Sequence, residues 1–366
     1  MAAGGEGIRR NGRLMKMPQH PQEGLVDLRS DTVTTPTEAM WHAMRNATLG
    51  DDGLDGDATV RALEHTIAES LGKEAGLFTP SATMANLVAI MAQVQRQDQL
   101  IAESTSHIYT TERAGSTLGS VVYTPVAGHR GAMDLDALAQ ALDSERGRLA
   151  TGLICMETTH NNAGGAVLPL AHMRAVHAMA TERKIGVHLD GCRMFNAAVA
   201  LDTTVAEIAR HCGTVTVCLS KGLSAPVGAV LAGPAELIRK GKRIRKTLGG
   251  TQRQLGIMAA AGLEGVKTMP ARLADDHQRA RGLSDGLKQL KPLTIAEDPE
   301  TNIVMVDLRG TGMDSAEWVA QLRTAGTLVR PWGPHTLRCV THRHIDDAAV
   351  ASAVAAFASV CAALRR

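Results

Sequence analysis

The sequence predicts an α/β protein whose large domain contains a mainly parallel sheet and whose C-terminal end forms a small α+β domain. From Thr59 onward, short apolar segments rich in β-branched residues alternate with segments of helical periodicity, which is the pattern of successive βαβ units. Beyond about residue 275, a strand, a helix, two further strands and an alanine-rich helix follow one another. This change of pattern indicates a second, smaller unit of mixed structure.

Local signals place the individual elements in chain order. Thr35-Pro-Thr-Glu38 has the pattern of a capping box with proline at the first helical position, and it predicts a helix that ends near Arg45. The other elements predicted for the large domain are helices over 60–71 and from 81 to about 95, and strands at 76–79, 153–156, 185–189 and 215–219. The small domain is predicted to contain a strand at 302–308, a helix around 316–324, strands near Leu328 and Leu337, and a helix from about 346 to 364.

The N-terminal residues 1–25 are predicted to be a flexible extension. They contain basic residues among glycines and prolines and show no apolar periodicity. The predicted organisation is therefore the extension (1–25), the large domain (26–275) and the small C-terminal domain (276–366).

The composition is that of an ordinary globular protein and excludes several classes of function. A chain of 366 residues with 44% hydrophobic and 21% charged residues can form a large core. The net charge of +2 comes without a basic stripe, and aromatic residues make up 2% of the chain, so no nucleic-acid partner is expected. No apolar stretch reaches the ~18 residues of a membrane helix. The six cysteines form no Cys-x-x-Cys pair, which predicts a reduced, cytoplasmic protein without a metal site.

Two polar runs that follow predicted strands indicate a cofactor site. His188-Leu-Asp-Gly-Cys-Arg193 and Cys218-Leu-Ser-Lys-Gly-Leu-Ser-Ala-Pro-Val-Gly228 each begin in an apolar segment and then break at a glycine. In open α/β sheets, the carboxyl ends of the strands hold the ligand. Pyridoxal phosphate requires an amine that binds its aldehyde and a carboxylate that keeps its ring nitrogen protonated. Lys221 and Asp190 fit these two roles, which predicts this cofactor.

Other residues carry alternative interpretations when they are considered singly. Ser81-Ala-Thr-Met-Ala-Asn86 begins a predicted helix whose free amides can hold a phosphate, although a serine there is equally expected as a cap. His107 could stack on a cofactor ring, or it could only satisfy a local hydrogen bond. Arg193 and Arg338 are candidates for a bidentate grip on a carboxylate, and an unpaired Arg338 would be costly within its apolar strand. The local pattern leaves the function of Arg253 open.

Six ordered motifs together resemble those of the low-specificity L-threonine aldolases, a family of the pyridoxal-phosphate fold type I group. The motifs are Asp27-Leu-Arg-Ser-Asp-Thr-Val-Thr34, Ser81-Ala-Thr-Met-Ala-Asn86, Glu157-Thr-Thr-His-Asn161 with Gly164-Gly165, His188-Leu-Asp-Gly-Cys-Arg193, Leu219-Ser-Lys-Gly-Leu223 with Ala225-Pro-Val-Gly228, and Val340-Thr-His342. The resemblance runs from about Leu25 to the last predicted helix. It implies an aspartate aminotransferase-like fold with a seven-stranded sheet, and a retro-aldol reaction that converts L-threonine, L-allo-threonine or related β-hydroxy-α-amino acids to glycine and an aldehyde.

The resemblance also implies how the cofactor is held. Lys221 would bind pyridoxal phosphate covalently, Asp190 would pair with the ring nitrogen, and His107 would stack over the ring and take part in catalysis. The backbone amides of Ala82 and Thr83 would hold the phosphate.

The remaining implied roles concern the substrate and the assembly. Ser30, Arg193 and Arg338 would hold the substrate carboxylate, and Arg193 would also border the cofactor. Arg253 would reach the phosphate of a neighbouring subunit, so that a homodimer or homotetramer would share its active sites. No metal and no membrane partner is implied.

The chain departs from the family pattern on the substrate side. Leu54 replaces a tyrosine, Thr111 stands where an aromatic residue is common, Asn162 replaces an arginine, and Thr251-Gln252 replaces Gly-Met. A family histidine that is linked to recognition of the β-hydroxyl group is absent, since no histidine lies between His129 and His160. These changes predict a wider pocket and a preference for bulkier substrates.

Three alternatives stay open at the level of sequence. A β-eliminating lyase or an amino-acid racemase could use the same fold and cofactor, because the cofactor stabilises the same carbanion in all these reactions. A pyridoxal-phosphate-binding protein without turnover is the third alternative, and the presence of Lys221, Asp190, His107 and both arginines argues against it.

Overall fold

A computed structural model describes residues 24–143 and 149–364, together with the backbone of two short strands near the N-terminus. Apart from those strands and residues 24–25, the predicted flexible extension lies outside the described residues.

The secondary structure alternates strands and helices through most of the chain. The strands are β1 (Arg9–Arg10), β2 (Arg13–Leu14), β3 (Val26–Asp27), β4 (Ala75–Thr79), β5 (Gln99–Glu103), β6 (Val122–Val126), β7 (Gly128–His129), β8 (Ala132–Met133), β9 (Thr151–Glu157), β10 (Gly186–Asp190), β11 (Thr214–Cys218), β12 (Ala229–Gly233), β13 (Ile303–Asp307), β14 (Thr327–Leu328), β15 (Arg330–Gly333) and β16 (Thr336–Val340). The helices are α1 (Glu38–Arg45), α2 (Ala58–Ser70), α3 (Ala82–Gln93), α4 (Ala114–Gly119), α5 (Leu135–Asp143), α6 (Leu170–Glu182), α7 (Met194–Ala200), α8 (Val205–Ala209), α9 (Ala235–Thr247), α10 (Gly256–Thr268), α11 (Leu273–Lys288), α12 (Ser315–Thr324) and α13 (Asp347–Ala363).

A seven-stranded sheet forms the centre of the large domain, in the order β4-β12-β11-β10-β9-β5-β6. Only β12 runs antiparallel to its neighbours, so the prediction of a mainly parallel sheet is confirmed. Every residue of β11 is buried, as expected for a strand with both faces covered. Asp190 lies opposite Thr216 on one side and opposite Glu157 on the other. The carboxyl ends of β9, β10 and β11 therefore meet at one edge of the sheet.

The predicted start of the first helix is wrong. The helix α1 begins at Glu38, and its N-cap is Thr37, whose hydroxyl accepts a hydrogen bond from the Met40 amide at 3.2 Å. Thr35, the predicted cap, instead donates its backbone N–H to His344. Proline therefore lies before the cap and not in the first turn. The helix ends at Arg45, as predicted.

A second core lies beside the main one and involves both ends of the described chain. Trp318 and Phe357 pack in this core with ring centroids 5.8 Å apart, and Leu28 is buried there as well. The strand β3 pairs in parallel with β14, which fixes the N-terminal segment to the C-terminal unit. The predicted boundary at residue 275 falls inside the continuous helix α11 and stays a prediction. Within the described ranges, no helix combines the length and apolarity that a bilayer crossing requires.

Candidate active site

A cavity of about 280 Å³ opens at the carboxyl edge of the central sheet. Its volume is close to the lower end of the range for small-molecule sites. Eight of the nine residues singled out from the sequence line it, and they are Ser30, Ala82, Thr83, His107, Asp190, Arg193, Lys221 and Arg338. These residues come from segments that are distant in sequence, which indicates a site assembled by the fold.

Asp190 lies at the base of this cavity and is anchored by two nitrogen donors. The side-chain nitrogen of Asn86 lies 3.0 Å from Oδ2, and the Cys192 amide lies 3.1 Å from Oδ1. Burial alone would raise the pKa of the Asp190 carboxyl, but the positive charge of Lys221 and the bond from Cys192 outweigh burial and lower this pKa. Asp190 is therefore an anion that is held in a fixed orientation.

A buried network behind Asn86 fixes the orientation of its amide group. The Asn86 nitrogen faces carboxylates, so its oxygen must be the acceptor of the 3.1 Å contact with Nε2 of His188. Nδ1 of His188 in turn lies 2.9 Å from the Thr214 hydroxyl. Burial lowers the pKa of His188 to about 4, so the ring is neutral at physiological pH. The neutral ring carries its proton on Nε2 and accepts from Thr214.

His107 and Glu112 form a hydrogen-bonded acid–base pair that lines the cavity. Nδ1 of His107 lies 3.1 Å from Oε1 of Glu112, and the bond to Glu112 raises the pKa of His107 despite partial burial. A single π-helical turn, Ile108–Glu112, brings together these two residues five positions apart. Thr83 and Asn86 also donate to Glu112, at 3.0 Å each. Because an ionised Glu112 can only accept, Nδ1 of His107 is the donor, and Nε2 is left as the acceptor.

Lys221 follows β11 in a loop whose backbone is fixed at several points. Its carbonyl oxygen accepts from Ser224 N at 2.8 Å and from the Thr34 hydroxyl at 3.0 Å. Gly228 closes the loop with φ +108°, and a Cβ there would lie 2.4 Å from the Phe78 ring. The loop therefore requires glycine at this position.

Two thiols lie beside the Lys221 amine. Cys192 and Cys218 line the same cavity as Lys221, and the bond from Cys192 lowers the pKa of Cys218 to about 6. Burial would lower the pKa of Lys221, but the two cysteine sulfurs and Asp190 outweigh burial and raise it. The amine is therefore protonated in the protein without cofactor.

Two buried arginines that line the cavity differ in how their charges are balanced. Arg193 forms a bidentate ion pair with Asp31, at 2.7 and 2.8 Å. Arg338 donates to the side-chain oxygen of Asn161 at 2.7 Å and to the Arg29 carbonyl at 3.3 Å. Burial and the nearby Arg193 lower the pKa of Arg338 to about 9. Within residues 24–143 and 149–364, no carboxylate forms an ion pair with Arg338, so its charge is available to an anionic ligand.

The N-terminus of α3 faces the same cavity. Ser81 caps this helix by accepting from the Met84 amide at 3.2 Å, and Ala82 and Thr83 line the cavity. The first amides of an α-helix have no intrahelical partner and lie at the positive end of the helix dipole. Both expectations for this junction, a cap and a potential phosphate site, are therefore compatible.

Arg253 is the one predicted site residue that the single chain does not bring to the cavity. It pairs with Asp51 at 2.7 Å, and 64% of its side chain is exposed. Its predicted role toward a neighbouring subunit stays a prediction.

Two other features, a cluster of potential metal ligands and a larger cavity, do not indicate a separate catalytic site. Donor atoms of His107, Glu112 and Asp190 lie within 4.8 Å of one another, as in a metal site, but hydrogen bonds already link them to one another or to Asn86. A larger cavity of about 540 Å³ lies near the Arg130–Glu297 ion pair and includes neither Lys221 nor Asp190. The smaller cavity holds the groups that can perform chemistry.

The residues of the smaller cavity fit pyridoxal phosphate. An amine, a buried carboxylate and a helix N-terminus are the three groups that this cofactor requires for its aldehyde, ring nitrogen and phosphate. The buried hydroxyl of Thr159 also lines the cavity and has no hydrogen-bond partner among the described residues. It is available to a bound ligand.

Sequence reasoning did not assign roles to several residues that shape the site. Asp31 and Asn161 lie within the quoted motifs, but no local signal pairs them with arginines that are more than 30 positions away. Glu112 stands five positions after His107, a spacing that does not align residues in an α-helix. Arg330 and Trp332 lie in a strand predicted only approximately.

The sheet, the lysine after β11 and the acid at the end of β10 define an enzyme of the pyridoxal-phosphate fold type I. The family model described as "Beta-eliminating lyase" matches residues 27–311, and the chain belongs to this family. The chain is 40% identical over 343 residues to a protein of Arabidopsis thaliana named probable low-specificity L-threonine aldolase 2, which covers 92% of this chain and 97% of that protein. It is 37% identical over 334 residues to the low specificity L-threonine aldolase of Escherichia coli strain K12, covering 90% and 98%.

The fold also matches solved structures. The threonine aldolase of Leishmania major superposes with a TM-score of 0.77 at 16% identity, over 92% of this chain and 99% of that one. At this identity the match shows the fold alone, and it confirms the predicted fold type.

Proposed function

We propose that the protein is a pyridoxal-phosphate-dependent aldolase that cleaves L-threonine, L-allo-threonine and related β-hydroxy-α-amino acids to glycine and an aldehyde. The observation that carries the proposal is one cavity that holds Lys221 and Asp190 together with the uncompensated charge of Arg338. The named relatives at 37–40% identity support the same activity.

The cofactor site is built from three parts of the fold. Lys221 would bind the aldehyde carbon, Asp190 would hold the proton on the ring nitrogen, and the first turn of α3 would hold the phosphate. When bound, pyridoxal phosphate supplies an electron sink for the bond that breaks at Cα. Asn86 and His188 hold Asp190 in its orientation, and Lys221 and Cys192 keep it ionised.

The substrate carboxylate would lie between Ser30, Arg193 and Arg338. Asp31 forms an ion pair with Arg193, whereas no carboxylate among the described residues forms one with Arg338, so a ligand carboxylate would supply its ion-pair partner. Asn161 accepts from both guanidinium groups, at 3.3 and 2.7 Å, and so holds them side by side. A carboxylate bound there would lie in the same small cavity as Lys221.

His107 is the group that can take the β-hydroxyl proton. Its Nδ1 is committed to Glu112, so a neutral ring presents Nε2 as the acceptor. Removal of that proton drives cleavage of the bond between Cα and Cβ, and the β-carbon leaves as an aldehyde. Of the substituted positions, Thr111 and Asn162 line a cavity that adjoins the site, whereas Leu54 is 78% exposed and lines neither cavity. We therefore propose that bulky β-substituents are accepted.

Release of glycine and aldehyde from L-threonine, L-allo-threonine and L-phenylserine tests this function. Release that depends on the cofactor and is lost in Lys221→Ala is expected, with kcat/KM for phenylserine comparable to that for threonine. A strong preference for threonine would contradict the wide pocket. No Lys221-dependent release from any substrate would contradict the aldolase.

The same assay separates the alternative reactions. Pyruvate and ammonia from a β-substituted substrate would identify a β-eliminating lyase, and inversion at Cα without cleavage would identify a racemase. A cofactor spectrum that no amino acid changes would identify a binding protein without turnover. We further propose a cytoplasmic enzyme, since no disulfide joins cysteines of the described residues. We also propose a homo-oligomer, since Arg253 lies outside the cavity of its own chain.

A further inference from the structure

A further cavity of about 360 Å³, here called the second cavity, adjoins the 280 Å³ cavity of the candidate active site. The two cavities share His107, Asn161 and Arg330 in their linings. The second cavity is further lined by Thr110, Thr111, Asn162, Pro331 and Trp332. A substrate whose α-carboxylate is bound at Arg338 and whose β-hydroxyl faces His107 would extend its β-substituent into this space.

Two arginines lie close to the ring of Trp332, which lines the second cavity. The guanidinium carbon of Arg338 lies 4.0 Å from the centre of the Trp332 ring system, and that of Arg330 lies 5.2 Å away. Arg330 and Arg338 are also directly opposite each other on the antiparallel strands β15 and β16. Like charges in this position repel each other, and the aromatic face compensates only part of that repulsion.

Arg330 is exposed and lines the second cavity, so solvent screens its charge. No carboxylate forms an ion pair with Arg330 among the described residues, and its guanidinium lies over the Trp332 ring. The lining of the second cavity also contains no aspartate or glutamate. One substrate carboxylate can compensate Arg338, which leaves Arg330 available to a second anionic group.

We propose that the second cavity is the subsite for the β-substituent and that it favours a substituent ending in an anion, with Arg330 at the anion. This inference rests on the proposed aldolase function and names its substrate class. Cleavage of β-(4-carboxyphenyl)serine would break the bond between Cα and Cβ, transfer the β-hydroxyl proton to His107, return a proton to Cα, and release glycine and 4-formylbenzoate. Atoms and electrons balance without a further reactant.

The experiment compares β-(4-carboxyphenyl)serine with its neutral isostere, β-(4-carbamoylphenyl)serine. The two have nearly the same shape, so the ratio of their kcat/KM values reports the charge preference alone. For the holoenzyme we expect a ratio of about two to five in favour of the carboxylate, in line with an ion pair at an exposed arginine. We expect Arg330→Gln to bring the ratio close to one and Arg330→Lys to retain part of it.

A matched control removes a guanidinium elsewhere in the same unit. Arg323 is exposed on α12, and Arg323→Gln should leave the ratio as in the unmodified enzyme. A ratio near one in the unmodified enzyme, or a ratio that Arg330→Gln does not change, would overturn the subsite. These results are distinct from failure of the proposed function, which would appear as absent cleavage of threonine as well.

If cleavage is slow, a binding measurement tests the same preference for an anionic substituent. β-(4-carboxyphenyl)alanine lacks the hydroxyl group and cannot be cleaved, and its dissociation constant from the holoenzyme can be obtained from the change in the cofactor spectrum. It should bind more tightly than the carbamoyl analogue, and Arg330→Gln should remove the difference. Equal binding of the two analogues to the unmodified enzyme would contradict the inference.

Discussion

The side-chain nitrogen of Asn86 lies 3.0 Å from Oδ2 of Asp190, and both side chains are buried. Asn86→Ala removes this donor, so the pKa of Asp190 should rise and the carboxylate should hold the ring proton less well. We expect kcat to fall at least about tenfold, which corresponds to ~1.4 kcal/mol. The pH titration of the bound cofactor's visible spectrum should shift in parallel. Gln93→Ala, at the far end of the same network, should change kcat far less. Equal losses in the two variants would argue against a specific role of Asn86.

Protonation of His107 should cause the loss of activity on the acid side of the pH–activity profile. Glu112 raises the pKa of His107, and the neutral ring is the form that accepts the β-hydroxyl proton. Activity is therefore expected to fall as the pH drops through this raised pKa. Glu112→Gln should lower the pKa of His107 and move the acid limb of kcat/KM to lower pH. An unchanged acid limb in this variant would show that another group controls it.

Cofactor capture by the protein without cofactor should become faster as the pH rises. The pKa of Lys221 is raised by the sulfurs of Cys192 and Cys218 and by Asp190, and only the neutral amine attacks an aldehyde. Cys218→Ala removes one of these neighbours, so the variant should capture pyridoxal phosphate faster at neutral pH. Stopped-flow absorbance after mixing measures this rate. A slower rate in Cys218→Ala would contradict the proposed influence of the thiol.

Asp31 should be a major source of stability for the substrate wall. Asp31→Asn leaves Arg193 as a buried charge without a counterion, a change that typically costs about 3–5 kcal/mol. The pKa of Asp31 is lowered in the folded state, so its contribution is present above ~3.9, the usual aspartate value, and is lost as the pH falls further. Denaturant unfolding between pH 7 and pH 3 measures both effects. Asp55→Asn, at an exposed position, is the control.

Complementation tests whether active sites are shared between subunits. Lys221→Ala and Arg253→Ala are each expected to be inactive or weak alone. If Arg253 serves a neighbouring phosphate, mixed dimers should contain one site with both residues intact and regain part of the activity. Demonstrated mixed dimers without any recovery would count against a shared site.

The sequence predicted the chemical core of the site better than its substrate wall. Lys221 and Asp190 follow two adjacent apolar strands, and strand ends of parallel sheets meet at one edge, so their proximity follows from local pattern. The pairing of Arg193 with Asp31 spans 162 positions, and no local signal encodes it. The contact of Arg330 with Trp332 depends on a hairpin with an irregular register between Pro331 and Gly333, which alternation alone does not predict.

The parallel pairing of Val26–Asp27 with Thr327–Leu328 has a consequence for biosynthesis. Ser30 and Asp31 emerge early from the ribosome, yet the strand that positions the preceding segment is made some 300 residues later. The sheet with Asp190 and Lys221 can form before that, whereas the grip on the substrate carboxylate has to wait for Arg338. A nascent chain released before this point would therefore possess the cofactor residues without the carboxylate wall, and prematurely terminated products would lack a complete substrate site.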